Sequence, residues 1–149
     1  MKILSSIKLV SALLLLCCIF LPIAKCSKVV EEGYEGKAPT FNMYVYGSEY
    51  NEESIIPILL WSLPFILAVI AIRFSGSISL SLLQLVAGFG SVYAGFWIFI
   101  WAKNLLWPSY VASISMVVYC VSAALTTYIL IRQRYLTKSS KATPKSGAL

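Results

Sequence analysis

Four long apolar runs dominate this chain, and about 18 or more apolar residues in a row is what a helix needs to cross a hydrocarbon core of ~30 Å. They extend from Ile3 to Ala24, from Ile55 to Ile72, from Ser77 to Ala102 and from Ser109 to Ile131. Lipid offers backbone N–H and C=O groups no partners, so each run is expected as a continuous helix rather than an open strand. Only Arg73 to Gly76 and Lys103 to Pro108 separate the last three runs, so consecutive helices must turn back on one another. The expected fold is therefore an all-α integral membrane protein. It is an antiparallel up-down bundle of four transmembrane helices at about 3–24, 55–72, 77–102 and 109–131, one domain over residues 1–131. Hydrophobic residues make up 59% of the chain, above the ~45–50% of a soluble domain.

The charges orient this bundle. Lys2, Lys8, Arg73, Arg132, Arg134, Lys138, Lys141 and Lys145 fall on one side of the expected membrane. Lys25, Lys28, Lys37 and Lys103 fall on the other, with every acidic residue of the chain: Glu31, Glu32, Glu35, Glu49, Glu52 and Glu53. Cytoplasmic loops retain Lys and Arg, which puts both termini in the cytoplasm and the loop 26–54 outside a bacterial-type plasma membrane. The net charge of +6 thus reads as topology, and no nucleic-acid partner is expected. The tail 132–149, "RQRYLTKSSKATPKSGAL", is basic and rich in Ser, Thr, Pro and Gly, the composition of a disordered segment.

Lys2 and Lys8 ahead of "LVSALLLLCCIFLPIA" also match the start of a secretory signal peptide. The cleavage signal is weak. "AKC" places Ala24 and Cys26 suitably, but Lys25 stands where a lipoprotein signal wants a small residue before its cysteine. Retention of the first helix is the expectation.

The third run carries a stripe. Ser77, Ser81, Gln84, Gly88, Ser91 and Gly95 recur at steps of three and four, hence on one face of a helix. Ala112, Ser115, Tyr119, Ser122 and Thr126 form a corresponding stripe in the fourth run. Small and hydroxyl residues let membrane helices approach closely, so these two stripes are expected to face each other, with Gln84 donating across the seam. Pro64, inside the second run, removes a backbone donor and crowds the carbonyl of Leu60. Trp97, Trp101, Trp107 and Tyr110 sit where a headgroup boundary would hold amphipathic rings. In the outer loop, "TFNMYVYGSEY" can form a short strand or lie against the bilayer. That acidic, Tyr-rich loop is also the natural surface for a protein partner.

Chemistry is conspicuous mainly by omission. The chain has no histidine and no aspartate, and no glutamate falls in an expected span. A serine or cysteine nucleophile would lack its usual base, and a proton relay its usual carboxylate. No enzyme activity and no cofactor are expected. Cys17 and Cys18 are adjacent, Cys26 lies at the outer surface and Cys120 in the fourth run, without CxxC spacing. Adjacent thiols followed by a proline, "CCIFLP", resemble the vicinal pair of bacterial mercuric-ion transport proteins. That likeness covers only this segment, since their second cysteine pair has no counterpart here. It implies passage of a soft metal through Cys17 and Cys18. Buried Cys otherwise packs as a small hydrophobe.

Three functional readings follow. The first is an accessory or self-assembling membrane component, with the bilayer, a membrane-protein neighbour or a second copy as partner. The second is a soft-metal transporter, and the third is an immunity-type protein against a pore-forming toxin.

Overall fold

In the computed structural model of the chain, residues 2–27, 40–45, 47–48, 55–74, 76–101 and 104–142 are described. Four helices carry the fold: α1 (Lys2–Ile19), α2 (Ile55–Arg73), α3 (Ile78–Trp101) and α4 (Trp107–Ala142). Four short strands accompany them: β1 (Ala24–Ser27), β2 (Thr40–Tyr44), β3 (Gly47–Ser48) and β4 (Asn104–Leu105). Three helices are long and apolar enough to cross a membrane, at Ile55–Arg73, Ile78–Trp97 and Trp107–Thr137. The apolar part of α1, Ile3–Ile19, is shorter.

α1 packs against α2 and α4, and α3 packs against the same two, so the helices close a ring. Chain direction alternates around it: Cys18, late in α1, meets Pro108 at the start of α4, while Ser81, early in α3, meets Thr127 late in α4. The α2–α3 turn is tight because Gly76, at φ +101°, takes a backbone conformation that L side chains rarely adopt. Ser77 follows as the N-cap of α3, accepting from the Leu80 N–H at 3.4 Å.

The surface is inverted relative to a soluble domain. Ile, Leu, Val and Phe side chains such as Ile66, Val86, Phe89 and Val117 are exposed along the helices, whereas Lys8, Ser81, Gln84, Ser91 and Ser122 are buried. An apolar solvent explains this pattern, since lipid rewards neither burial of Leu nor exposure of Ser. A second core, where Leu15, Cys18, Ile19, Ile23, Val45, Trp61, Ala112 and Met116 meet, joins the helices to the sheet.

A small sheet accompanies the all-helical frame, and its β2 falls in the "TFNMYVYGSEY" segment where a short strand is one expectation. Its order is β3-β2-β1-β4, antiparallel throughout, with Ala24 opposite both Met43 and Leu105. The first helix does not run to residue 24, and Ala24 belongs to β1. Pro22 is the reason: it lacks an N–H and pushes Leu21 out of helical geometry. The helix closes with tightened bonds, Phe20 N to Cys17 O and Leu21 N to Cys18 O, both 3.3 Å. Beyond it Ala24 is buried and Lys25 exposed, the opposite sides that successive residues of a strand take.

At the other end α4 continues to Ala142, well past Ile131. Hydropathy marks where an apolar solvent would stop, not where a helix stops, and "RQRYLTKSSKA" contains no breaker. Most of the Tyr-rich loop and all six glutamates lie outside the described residues.

Candidate functional site

The interior of the bundle is stitched by side chains that donate to other helices. Pro64 deprives the Leu60 carbonyl of its helical partner. Ser91 Oγ on α3 reaches that same carbonyl at 2.6 Å and lies 3.0 Å from its own Ala87 oxygen. With one hydroxyl proton, Ser91 serves one acceptor at a time, and Leu60 O is the one that needs it. Tyr119 Oη on α4 donates to the Pro64 carbonyl at 3.2 Å, crossing to the diagonally opposite helix. Ser81 Oγ and Thr127 Oγ1 lie 2.8 Å apart between α3 and α4. Cys18 Sγ sits 3.5 Å from the Pro108 oxygen, linking α1 to α4.

The other diagonal is spanned by Lys8 and Gln84. Lys8 Nζ donates to Gln84 Oε1 at 2.8 Å, and Gln84 Nε2 donates to the Leu67 carbonyl at 3.1 Å. An ammonium only donates and a carbonyl only accepts, so these partners dictate the amide's orientation. Lys8 is 4% exposed and Gln84 1%, although the Lys8 carbon lies only ~9 Å along the helix from Lys2. Beside them a cavity of about 60 Å³ is lined from all four helices. Its polar wall is Ser5, Lys8, Ser77, Ser81, Gln84 and Thr126, and its apolar wall Ala71, Phe74, Leu80 and Leu130. No carboxylate stands among the described residues.

The sequence-derived stripes distribute over more than one interface. On α3, Ser81, Gln84, Gly88, Ser91 and Gly95 are buried, while Ser77 is exposed as the cap. Ser81 and Gly88 do meet α4, Ser81 through Thr127 and Gly88 where a Cβ would stand 2.8 Å from Cys120 Sγ and 3.2 Å from Tyr119 Cδ1. Gln84 and Ser91 turn instead to α1 and α2. On α4, Ala112, Ser115, Tyr119 and Ser122 are buried and Thr126 half-buried. Ala112 packs with Leu15 and Cys18 of α1, and Ser115 lines a groove shared with Ser6, Ser11 and Leu14. Thr126 Oγ1 bonds back to its own helix at Ser122 O, 2.7 Å away.

Cys17 is exposed and Cys18 buried, so the adjacent thiols of "CCIFLP" meet different surroundings. Among the described residues no three His, Cys, Asp or Glu side chains gather as a metal site. Trp97, Trp107 and Tyr110 are exposed, and Tyr93 meets Trp97 edge-on with centroids 6.2 Å apart. Trp61 is the opposite case: it is fully buried, and its Nε1 has no hydrogen-bond partner among the described residues.

Lys8 is the residue that charge counting misreads, because a lysine near a helix start is ordinarily a topology signal. Its helical register holds the correction. Lys8, Ser11, Ala12, Leu15, Cys18 and Ile19 recur at steps of three and one, and all are buried, which puts Lys8 on the inward face. No protein-family profile matches this chain, and no curated protein resembles it significantly.

Proposed function

We propose that the chain is a four-span protein of a bacterial-type plasma membrane, with both termini cytoplasmic and without catalytic activity, that works as an accessory or self-assembling component. The observation that carries this reading is the consumption of interior polar groups by one another. Ser91, Tyr119, Gln84 and Ser81 donate from helix to helix, and Lys8 gives one of its three donors to Gln84. Such bonds give a membrane bundle a single packed shape rather than a reactive centre.

The sheet supports the same reading. It joins the segment after α1 to the connection between α3 and α4, and it braces one end of the bundle as a platform for contact. Its edges, β3 and β4, are two residues each, short enough to limit indiscriminate strand pairing. The inward Lys8, Ala12, Leu15 and Cys18 favour an α1 retained in the mature protein. Lys and Arg retention favours a cytoplasmic location for the Arg73 end.

The test is association. The full chain in mild detergent, carrying a photocrosslinker at exposed Thr40, should run as a dimer or larger, or capture a membrane neighbour reproducibly in intact cells. A strict monomer that crosslinks to nothing there refutes the proposal.

A further inference from the structure

The cavity at the Arg73 end contains a cation that has no counter-charge among the described residues. Lys8 is held inside the ring of helices by one hydrogen bond, to Gln84 Oε1 at 2.8 Å. An ammonium has three donors, which leaves two without partners among the described residues. A buried charge normally has an opposite charge beside it, and the described residues offer no carboxylate. The Gln84 amide cannot substitute: its oxygen already accepts from Lys8, and its nitrogen is turned away to Leu67 O.

We infer that this cavity is an oxyanion site, in which the Lys8 ammonium, with the hydroxyls of Ser5 and Ser77 in its wall, receives one phosphate group. Three features converge on that chemistry. Among the described residues the wall combines a positive donor with hydroxyl donors and has no negative side chain, which selects anions over cations. The volume of about 60 Å³ exceeds the ~10–15 Å³ that one water needs by the same measure, which leaves room for a small oxyanion. The site lies between helices next to the exposed Arg73 and the basic end of α4, where basic pockets of membrane proteins meet anionic headgroups. The phosphate is thus either free inorganic phosphate or the phosphodiester of an anionic lipid inserted from the adjoining leaflet. This assignment goes beyond the accessory role and does not depend on which partner the protein has.

The experiment uses the full chain in nanodiscs, with the thermal unfolding midpoint as readout. One arm titrates inorganic phosphate at constant ionic strength into phosphatidylcholine discs, and the other replaces part of the phosphatidylcholine with phosphatidylglycerol. The midpoint should rise in at least one arm. A rise with phosphate identifies the free oxyanion, and a rise with phosphatidylglycerol alone identifies the headgroup. Lys8→Met should weaken the response by roughly tenfold or more in ligand concentration, the loss expected for a charge-assisted contact. Gln84→Glu is the variant that keeps the test decisive if Lys8→Met folds poorly. It places a carboxylate against the ammonium, so the protein should stay folded while the response disappears. No rise in either arm, or an unchanged response in Gln84→Glu, overturns the assignment.

Discussion

Removing the Ser91 hydroxyl tests whether this bundle satisfies its proline from a neighbouring helix. Ser91 is 1% exposed, and its Oγ lies 2.6 Å from the Leu60 carbonyl, the acceptor that Pro64 cannot reach because it has no N–H. Ser91→Ala leaves that carbonyl without a donor. An unsatisfied buried group costs about 1–3 kcal/mol in a soluble protein, whereas side-chain hydrogen bonds in membranes average ~0.6 and reach ~1.7 kcal/mol. A loss of about 1–1.5 kcal/mol is therefore expected. The second half of the cycle is what isolates the cause. Pro64→Ala restores an N–H four residues after Leu60, so in that background Ser91→Ala should cost only about 0–0.5 kcal/mol. The coupling, about 1 kcal/mol, is measurable by reversible unfolding of the four variants in mixed micelles. Packing lost at Pro64 cancels in the cycle. Equal costs of Ser91→Ala in both backgrounds would refute the reasoning and assign the hydroxyl's worth to its own-helix bond at Ala87 O.

Gly88→Ala should destabilise by about 1–3 kcal/mol in the same assay, because the new Cβ would stand 2.8 Å from Cys120 Sγ; Cys120→Ala in addition should recover part of that loss. Trp61→Phe should be unusually mild for a fully buried aromatic, within about 1 kcal/mol of wild type, since it discards an Nε1–H that has no partner among the described residues. Topology is read by single cysteines placed at the exposed Asn104 and Gln133 in a chain whose own Cys17, Cys18, Cys26 and Cys120 are replaced by Ser or Ala. A membrane-impermeant maleimide should label the first and spare the second in intact cells, and labelling of Gln133→Cys would reverse the proposed orientation.

Much of the helical frame is legible in the sequence, because the requirement of an apolar solvent acts locally along the chain. The edges of the second and third runs match α2 and α3 to within a residue. The inward face of α3 was readable from spacing, since Ser81, Gln84, Gly88, Ser91 and Gly95 can share a side only on a helix. What spacing does not show is which neighbour that side meets. Ser91 and Gln84 turn toward α2 because Leu60 and Leu67 present acceptors there, a fact of three-dimensional register. The end of α1 was hidden by hydropathy: Ile23 and Ala24 are apolar, yet Pro22 releases them from the helix, and Ile23 pairs with Met43 at 2.8 Å and with Leu106 at 2.9 Å. The helical continuation of α4 was obscured by composition, since polarity predicts solvation rather than backbone geometry. Lys8 was legible as a charge but not as a core residue, because its partner is remote in the chain.

That remoteness bears on how the protein is made. Lys8 and Gln84 are 76 residues apart, so at about 5–20 residues per second a ribosome needs roughly 4–15 s to deliver the amide after the lysine. Throughout that interval α1 must wait with a cation facing lipid or water, held near the interface by its own long side chain. The last hairpin then closes α1 into place, as β4 pairs with β1 and Pro108 comes up beside Cys18. α1 is thus made before the other three helices but meets Gln84 and Pro108 only after they follow, and a chain interrupted before α3 would present quality-control proteases with a helix whose charge has found no partner.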